Sequence, residues 1–145
     1  MSAQIATYED AILLLRLYEL RREEKLREAR SWFSSHFKPR TFEEASQLAP
    51  EGSDQNAYLR MVTSYWEMVA SLITCGVLNE ALFFETGYEM VMCWERVRDL
   101  TPKVREIYNN PLYLHNLEDA CARFEKRLDK HAPGAYAAMA TAARS

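Results

Sequence analysis

Apolar residues along the chain return every three or four positions in long runs and nowhere in alternation, which predicts amphipathic helices and no strands. Tyr8, Ala11, Leu15 and Tyr18 open one stripe, and Leu26, Ala29 and Phe33 continue it after a charged interval, so a single helix is expected to run to about Phe37. A helix of about thirty residues would extend roughly 45 Å. Thr7 stands before it as a cap, with Glu9 and Asp10 in the first turn, where the positive end of the helix dipole favours acids. "KPRTFEEASQLAPEGSDQ" then breaks the period at Pro39, Pro50 and Gly52, leaving room for one short helix that opens on the capping box Thr41-Phe42-Glu43-Glu44.

A third helix is expected over 54–75, from Ser53 or Asp54 to Gly76, a good residue for the left-handed turn that ends a helix. Its polar residues Arg60, Thr63, Ser64, Glu67, Ser71 and Thr74 form a narrow stripe and nearly everything else is apolar, so protein must surround most of it. Asn79 can cap a fourth helix that runs to about Asp99, with Gly87 as a bend or interruption. Thr101-Pro102 and Asn110-Pro111 each place a cap residue before a proline at the first helical position, so two further helices begin there. The last long one ends near His131, and residues 133–145, rich in alanine, read as a loosely held tail. The expected fold class is all-α: one domain over 1–145, a helical bundle of about five to six helices with a long N-terminal helix.

The stretch "LFFETGYEMVMCWERV" (82–97) mixes aromatic, sulfur and acidic residues as a cofactor pocket would. On a helix, however, Phe83, Met90, Trp94 and Val97 fall near one line with Phe84, Tyr88 and Val91 beside it, while Glu85, Glu89, Arg96 and Asp99 take the remaining face. Packing is therefore the better reading. "YWEMVASL" (65–72) and "CWERVRDL" (93–100) repeat Trp, Glu, Val and Leu in one register, which places Trp66 and Trp94 inward and Glu67 and Glu95 on polar edges; a single pair does not establish a repeat.

Composition places the chain far from disorder, with 48% apolar and 27% charged residues. Net charge is −3 but uneven: +2 over residues 1–40, −8 over 41–95 and +3 over 96–145. An acidic middle with a single basic residue, Arg60, argues against a nucleic-acid face, which needs clustered Lys and Arg. Cys75, Cys93 and Cys121 are odd in number and unpaired in pattern, and no signal peptide opens the sequence, so a cytoplasmic protein is expected. Arg16 and Glu19 interrupt the first apolar run, so no membrane span is expected.

Chemistry is hard to find. No residue three before His36, His115 or His131 is a glutamate, so di-metal Glu-x-x-His pairs are missing; the cluster His115, Glu118, Asp119 and Cys121 supplies at most half a metal site from one helix. Four scattered glycines build no phosphate loop, and no nucleophile motif occurs. No cofactor and no enzymatic activity are expected. The stretches "LYELRREEKLREARSWF", "NAYLRMVTSYWEMVASLITCGVLNEALFF" and "WERVRDLTPKVREIYNNPLYL" together resemble a group of bacterial helical proteins classed as a domain of unknown function. The resemblance covers about residues 10–128. It implies a small all-α bacterial cytosolic protein and carries no functional residues.

Two functional readings follow. Leu13, Leu14, Leu17 and Leu20, with Trp32, lie off the main stripe of the first helix, so a second surface is expected to cover them; a homodimer through these leucines does so, making the chain a non-enzymatic interaction module. The alternative is a small apolar ligand between the third and fourth helices, walled by Tyr65, Trp66, Tyr88 and Trp94.

Overall fold

A computed structural model describes residues 4–145. Among the described residues all regular structure is helical, in nine helices rather than five to six: α1 (Tyr8–Leu20), α2 (Glu24–His36), α3 (Phe42–Leu48), α4 (Asp54–Thr74), α5 (Glu80–Phe84), α6 (Tyr88–Val97), α7 (Thr101–Ile107), α8 (His115–His131) and α9 (Ala135–Arg144). The excess comes from breaks inside expected helices and from an ordered tail.

The long first helix is broken at residues 21–23. Glu23 folds its carboxylate back to accept from the Lys25 and Leu26 amides, which starts a new helix. The carbonyls left at the end of α1 find donors elsewhere: the Tyr65 hydroxyl of α4 donates to the Leu17 carbonyl, and Arg30 of α2 donates to the Arg21 carbonyl at 2.9 Å. A helix end supplied with donors from two other elements costs little to leave open. The second break, between α5 and α6, falls at Gly87, where a Cβ would stand 2.6 Å from a ring carbon of Phe83. Only glycine fits that approach.

Several starts and stops follow the expected signals. Thr7 and Asp10 form a reciprocal capping box, Thr41 accepts from the Glu44 amide, and Asn79 caps α5 by accepting from Leu82. Gly76 ends α4 with φ +78°, a conformation that its lack of a Cβ makes cheap. Others differ. Thr101 is buried with its hydroxyl donating to the Val97 carbonyl, so it does not cap α7; Asn110 accepts from Leu112 in a turn, and α8 begins later, at His115.

Helix α4 lies at the centre. Helices α2, α6 and α8 all pack on it, and α9 closes the far side against α6 and α8. Val62, Trp66, Val69, Ala70 and Ile73 bury the inner faces of α4, against Ala29, Phe33 and Phe37 at one side and Met90, Val91, Trp94, Leu117 and Phe124 at the other. The near-complete enclosure expected for this helix is what its partners provide. Residues 133–145 are not a loose tail: Tyr136 and Ala143 are buried in α9. No helix among the described residues is long and apolar enough to cross a membrane.

Candidate functional site

Helices α2 and α6 both rest on α4, and a cleft of about 450 Å³ lies between them. Each wall is one helical face. Arg27, Arg30, Ser31 and Ser34 recur along α2 at spacings of three and four, and Glu89, Met92, Cys93 and Arg96 do the same along α6; Phe33 from α2 and Val62 and Trp66 from α4 close the apolar bottom. Two polar links cross the gap. Arg30 grips Glu89 with two nitrogens at 2.5 and 2.8 Å, and Arg21 approaches the same carboxylate at 3.4 Å. Arg96 donates to the Phe33 carbonyl near the end of α2 and, at 2.8 Å, to the Ala143 carbonyl near the end of α9, while its guanidinium lies 5.4 Å from the centre of the Phe33 ring.

Charge in the cleft is unbalanced. The neighbouring Glu89 holds Arg30 above the usual arginine range. Arg96 is shifted the other way, because burial disfavours its charge and, among the described residues, no carboxylate pairs with it. Its counter-charge is instead the partial negative end of two helices. Arg27 is exposed and, among the described residues, has no ion-pair partner. At the floor, burial pushes the Cys93 thiol well up, so it stays protonated at neutral pH.

The residues expected to wall an apolar site are divided by this geometry. Trp66 and Tyr88 line the cleft. Tyr65 and Trp94 do not: Tyr65 is spent on the Leu17 carbonyl, and burial pushes its hydroxyl up to about 12, while Trp94 is buried in the core. The expected strip of leucines is likewise divided. Leu17 is 5% exposed and belongs to the core, Leu13 and Leu14 pack against it, and only Leu20 is exposed. The residues expected to face inward, Tyr8, Leu15 and Tyr18, point out instead, joined by Ile12. A helix with apolar residues on two sides docks by whichever side carries the matching polar contacts. On α1 that side holds Asp10, which accepts from the Asn79 amide at 2.9 Å.

The glutamates expected on solvated edges are engaged. Glu95 is 2% exposed, with its carboxylate accepting from Tyr136 at 2.6 Å, Arg144 at 2.8 Å and Arg98 at 3.1 Å. Glu67 accepts from the Asn116 and Leu117 amides and so caps α8, whose own cap position, Leu114, supplies no side-chain bond. Glu85 meets Arg127 at 2.6 Å. In the cluster near His115, Glu118 pairs with Arg105 and Asp119 with Arg123, so those carboxylates turn to arginines. Arg27, Arg30 and Arg96 were missed by sequence reasoning; the periodicity of Arg27, Arg30, Ser31 and Ser34 on one helical face was the available signal.

Residues 6–124 match the family described as Domain of unknown function (DUF4760). No curated protein and no solved structure matches the chain.

Proposed function

The chain belongs to the DUF4760 family, and from that premise we propose that it is a non-enzymatic helical interaction module that self-associates as a homodimer through the outward face of α1. The observation that carries this reading is the face itself. Tyr8, Ile12 and Leu15 follow one another at helical spacing and are 79%, 51% and 61% exposed, and Ile5 extends the strip beyond the helix start. A contiguous apolar strip is what a second protein surface removes from water.

Charge favours a second copy as the occupant. Glu9 and Arg16 lie on one flank of the strip, two helical turns apart. A two-fold axis that pairs the helices antiparallel sets like flanks face to face, so Glu9 meets the partner's Arg16 and Arg16 meets the partner's Glu9. With the axis near Ile12, Tyr8 falls beside the partner's Leu15. The non-enzymatic part draws support from the titratable groups. Glu67, Glu89 and Glu95 are committed to helix ends and arginines, and burial pushes the Cys93 and Cys121 thiols upward. Its three cysteines are free, which suits a reducing compartment such as the cytoplasm.

Sedimentation equilibrium tests the assembly. At about 50 μM, where a contact of micromolar affinity is populated, the wild type should be dimeric and the double variant Ile12→Glu with Leu15→Glu a folded monomer. A wild-type monomer at that concentration, or a dimer undisturbed by both substitutions, would remove this face from consideration.

A further inference from the structure

The cleft between α2 and α6 holds more positive charge than its one carboxylate can balance. Glu89 is already shared by Arg30 and Arg21, with three contacts of 2.5–3.4 Å, and has no capacity left to neutralise Arg27 or Arg96. Arg96 uses its Nε and one terminal nitrogen on the two helix-end carbonyls, which leaves the other terminal nitrogen free for a further acceptor. Arg27 has its whole guanidinium available, and the exposed hydroxyls of Ser31 and Ser34 stand along the same α2 face. Below these donors the surface changes character to Phe33, Val62, Trp66 and Met92. Positive, multi-donor groups above an apolar bottom describe a two-part ligand.

From this juxtaposition we infer that the cleft binds an amphiphilic organic carboxylate of medium-chain fatty-acid size, its carboxylate held by Arg27 and Arg96 and its apolar body laid over Phe33, Val62 and Trp66. A single negative charge matches the surplus better than a polyphosphate, because Glu89 stays in the cleft and would repel a second charge. A guanidinium edge presents two parallel donors to a carboxylate, a geometry that an alcohol cannot use. The volume of about 450 Å³ lies within the range of small-molecule sites. The desolvated state of Arg96 points the same way, since an arriving anion restores the counter-charge that burial removed.

Octanoate and octan-1-ol, matched in chain and differing in charge, separate this site from a merely greasy hole. Isothermal titration calorimetry should give saturable binding of octanoate at one site per chain, at least roughly ten-fold tighter than octan-1-ol. Arg27→Gln, a change at an exposed position, should weaken octanoate by about five- to ten-fold and leave octan-1-ol unchanged. Met92→Trp, which fills the cleft, should weaken both while the helical circular dichroism stays that of the wild type. Because an amphiphile can also coat the exposed strip of α1, the titration is repeated on the Ile12→Glu, Leu15→Glu variant, where octanoate affinity should be unaltered. Equal affinity for acid and alcohol, indifference to Arg27→Gln, loss of binding in the α1 variant or no saturable binding at all would each overturn the assignment.

Discussion

Helices α1 and α9 close the two ends of the fold, the first turning Tyr8, Ile12 and Leu15 to solvent, the second, richer in alanine, burying Tyr136 and Ala143 against α6 and α8. By hydrophobicity alone their roles should be exchanged. What separates them is the polar chemistry of their docking sites. Helix α1 is tied at its start by Asp10, which accepts from Thr7 and Asn79, and near its end by the Tyr65 hydroxyl on the Leu17 carbonyl. Helix α9 meets a carboxylate already buried: Glu95 takes Tyr136 and Arg144, and Arg96 takes the Ala143 carbonyl. A buried carboxylate without those donors would be strongly destabilising, so α9 has to stay where it is. Small alanines then let its backbone approach closely.

The largest expected effect breaks the α9 side. Glu95→Ala should destabilise by about 3 kcal/mol, near the low end for a broken buried ion pair, because Arg98 and Arg144 are partly exposed and can turn to water. Tyr136→Phe removes one hydrogen bond from the same carboxylate and should cost about 1–2 kcal/mol. Urea unfolding measures both. If Glu95→Ala changes the midpoint no more than a typical surface substitution does, the clamp is not what holds α9.

A second effect concerns acid and sharpens the α1 side. Backbone amides of Thr7 and Asn79 hold the Asp10 carboxyl below its usual 3.8. A group whose folded value is depressed adds stability that is complete above its unfolded value and is lost as pH falls through the folded one. Below about pH 4, therefore, the start of α1 should loosen. Glu67 has the opposite sign: burial raises it above 4.5, so its contribution is complete below that value and declines as pH rises through the folded one. Amide hydrogen exchange of α1, compared at each pH with Asp10→Asn, should show protection falling in acid for the wild type and little further change in the variant. Equal acid sensitivity in both would place the loss elsewhere.

How much of this was legible along the chain depends on where the deciding partner lies. The apolar faces of α4 and α6, the caps at Thr7, Thr41 and Asn79 and the stop at Gly76 are local signals, and they stand. The two Trp-Glu segments show the boundary: both tryptophans are buried as their phase implies, yet both glutamates, placed on solvated edges by the same phase, are taken by elements about 40 to 50 residues further on. Phase says which way a side chain points and says nothing of what arrives there. The break at residues 21–23 is hidden for the same reason, since Tyr65 and Arg30 supply the donors that let α1 end. The arginine cleft needed α2 and α6 to be set side by side on α4.

The smallest expected effect is on the stability of α1's outward face, and it is what distinguishes an interface from a core. Ile12→Glu should change the stability of the isolated monomer by less than about 0.5 kcal/mol, because its side chain is already half in water and contacts no buried group that needs it. Leu17→Glu, five residues on, would force a carboxylate into the core and should unfold α1 or the whole chain. The measurement has to be made well below the concentration at which the wild type associates, since dimerisation stabilises the folded state by mass action and would make Ile12→Glu look costly for the wrong reason. Dilute urea unfolding then isolates the monomer term, and repeating it at high protein concentration should open a gap between wild type and Ile12→Glu that grows with concentration. A gap that is large and independent of concentration would mean that Ile12 packs within its own chain, and the outward strip would lose its claim to a partner.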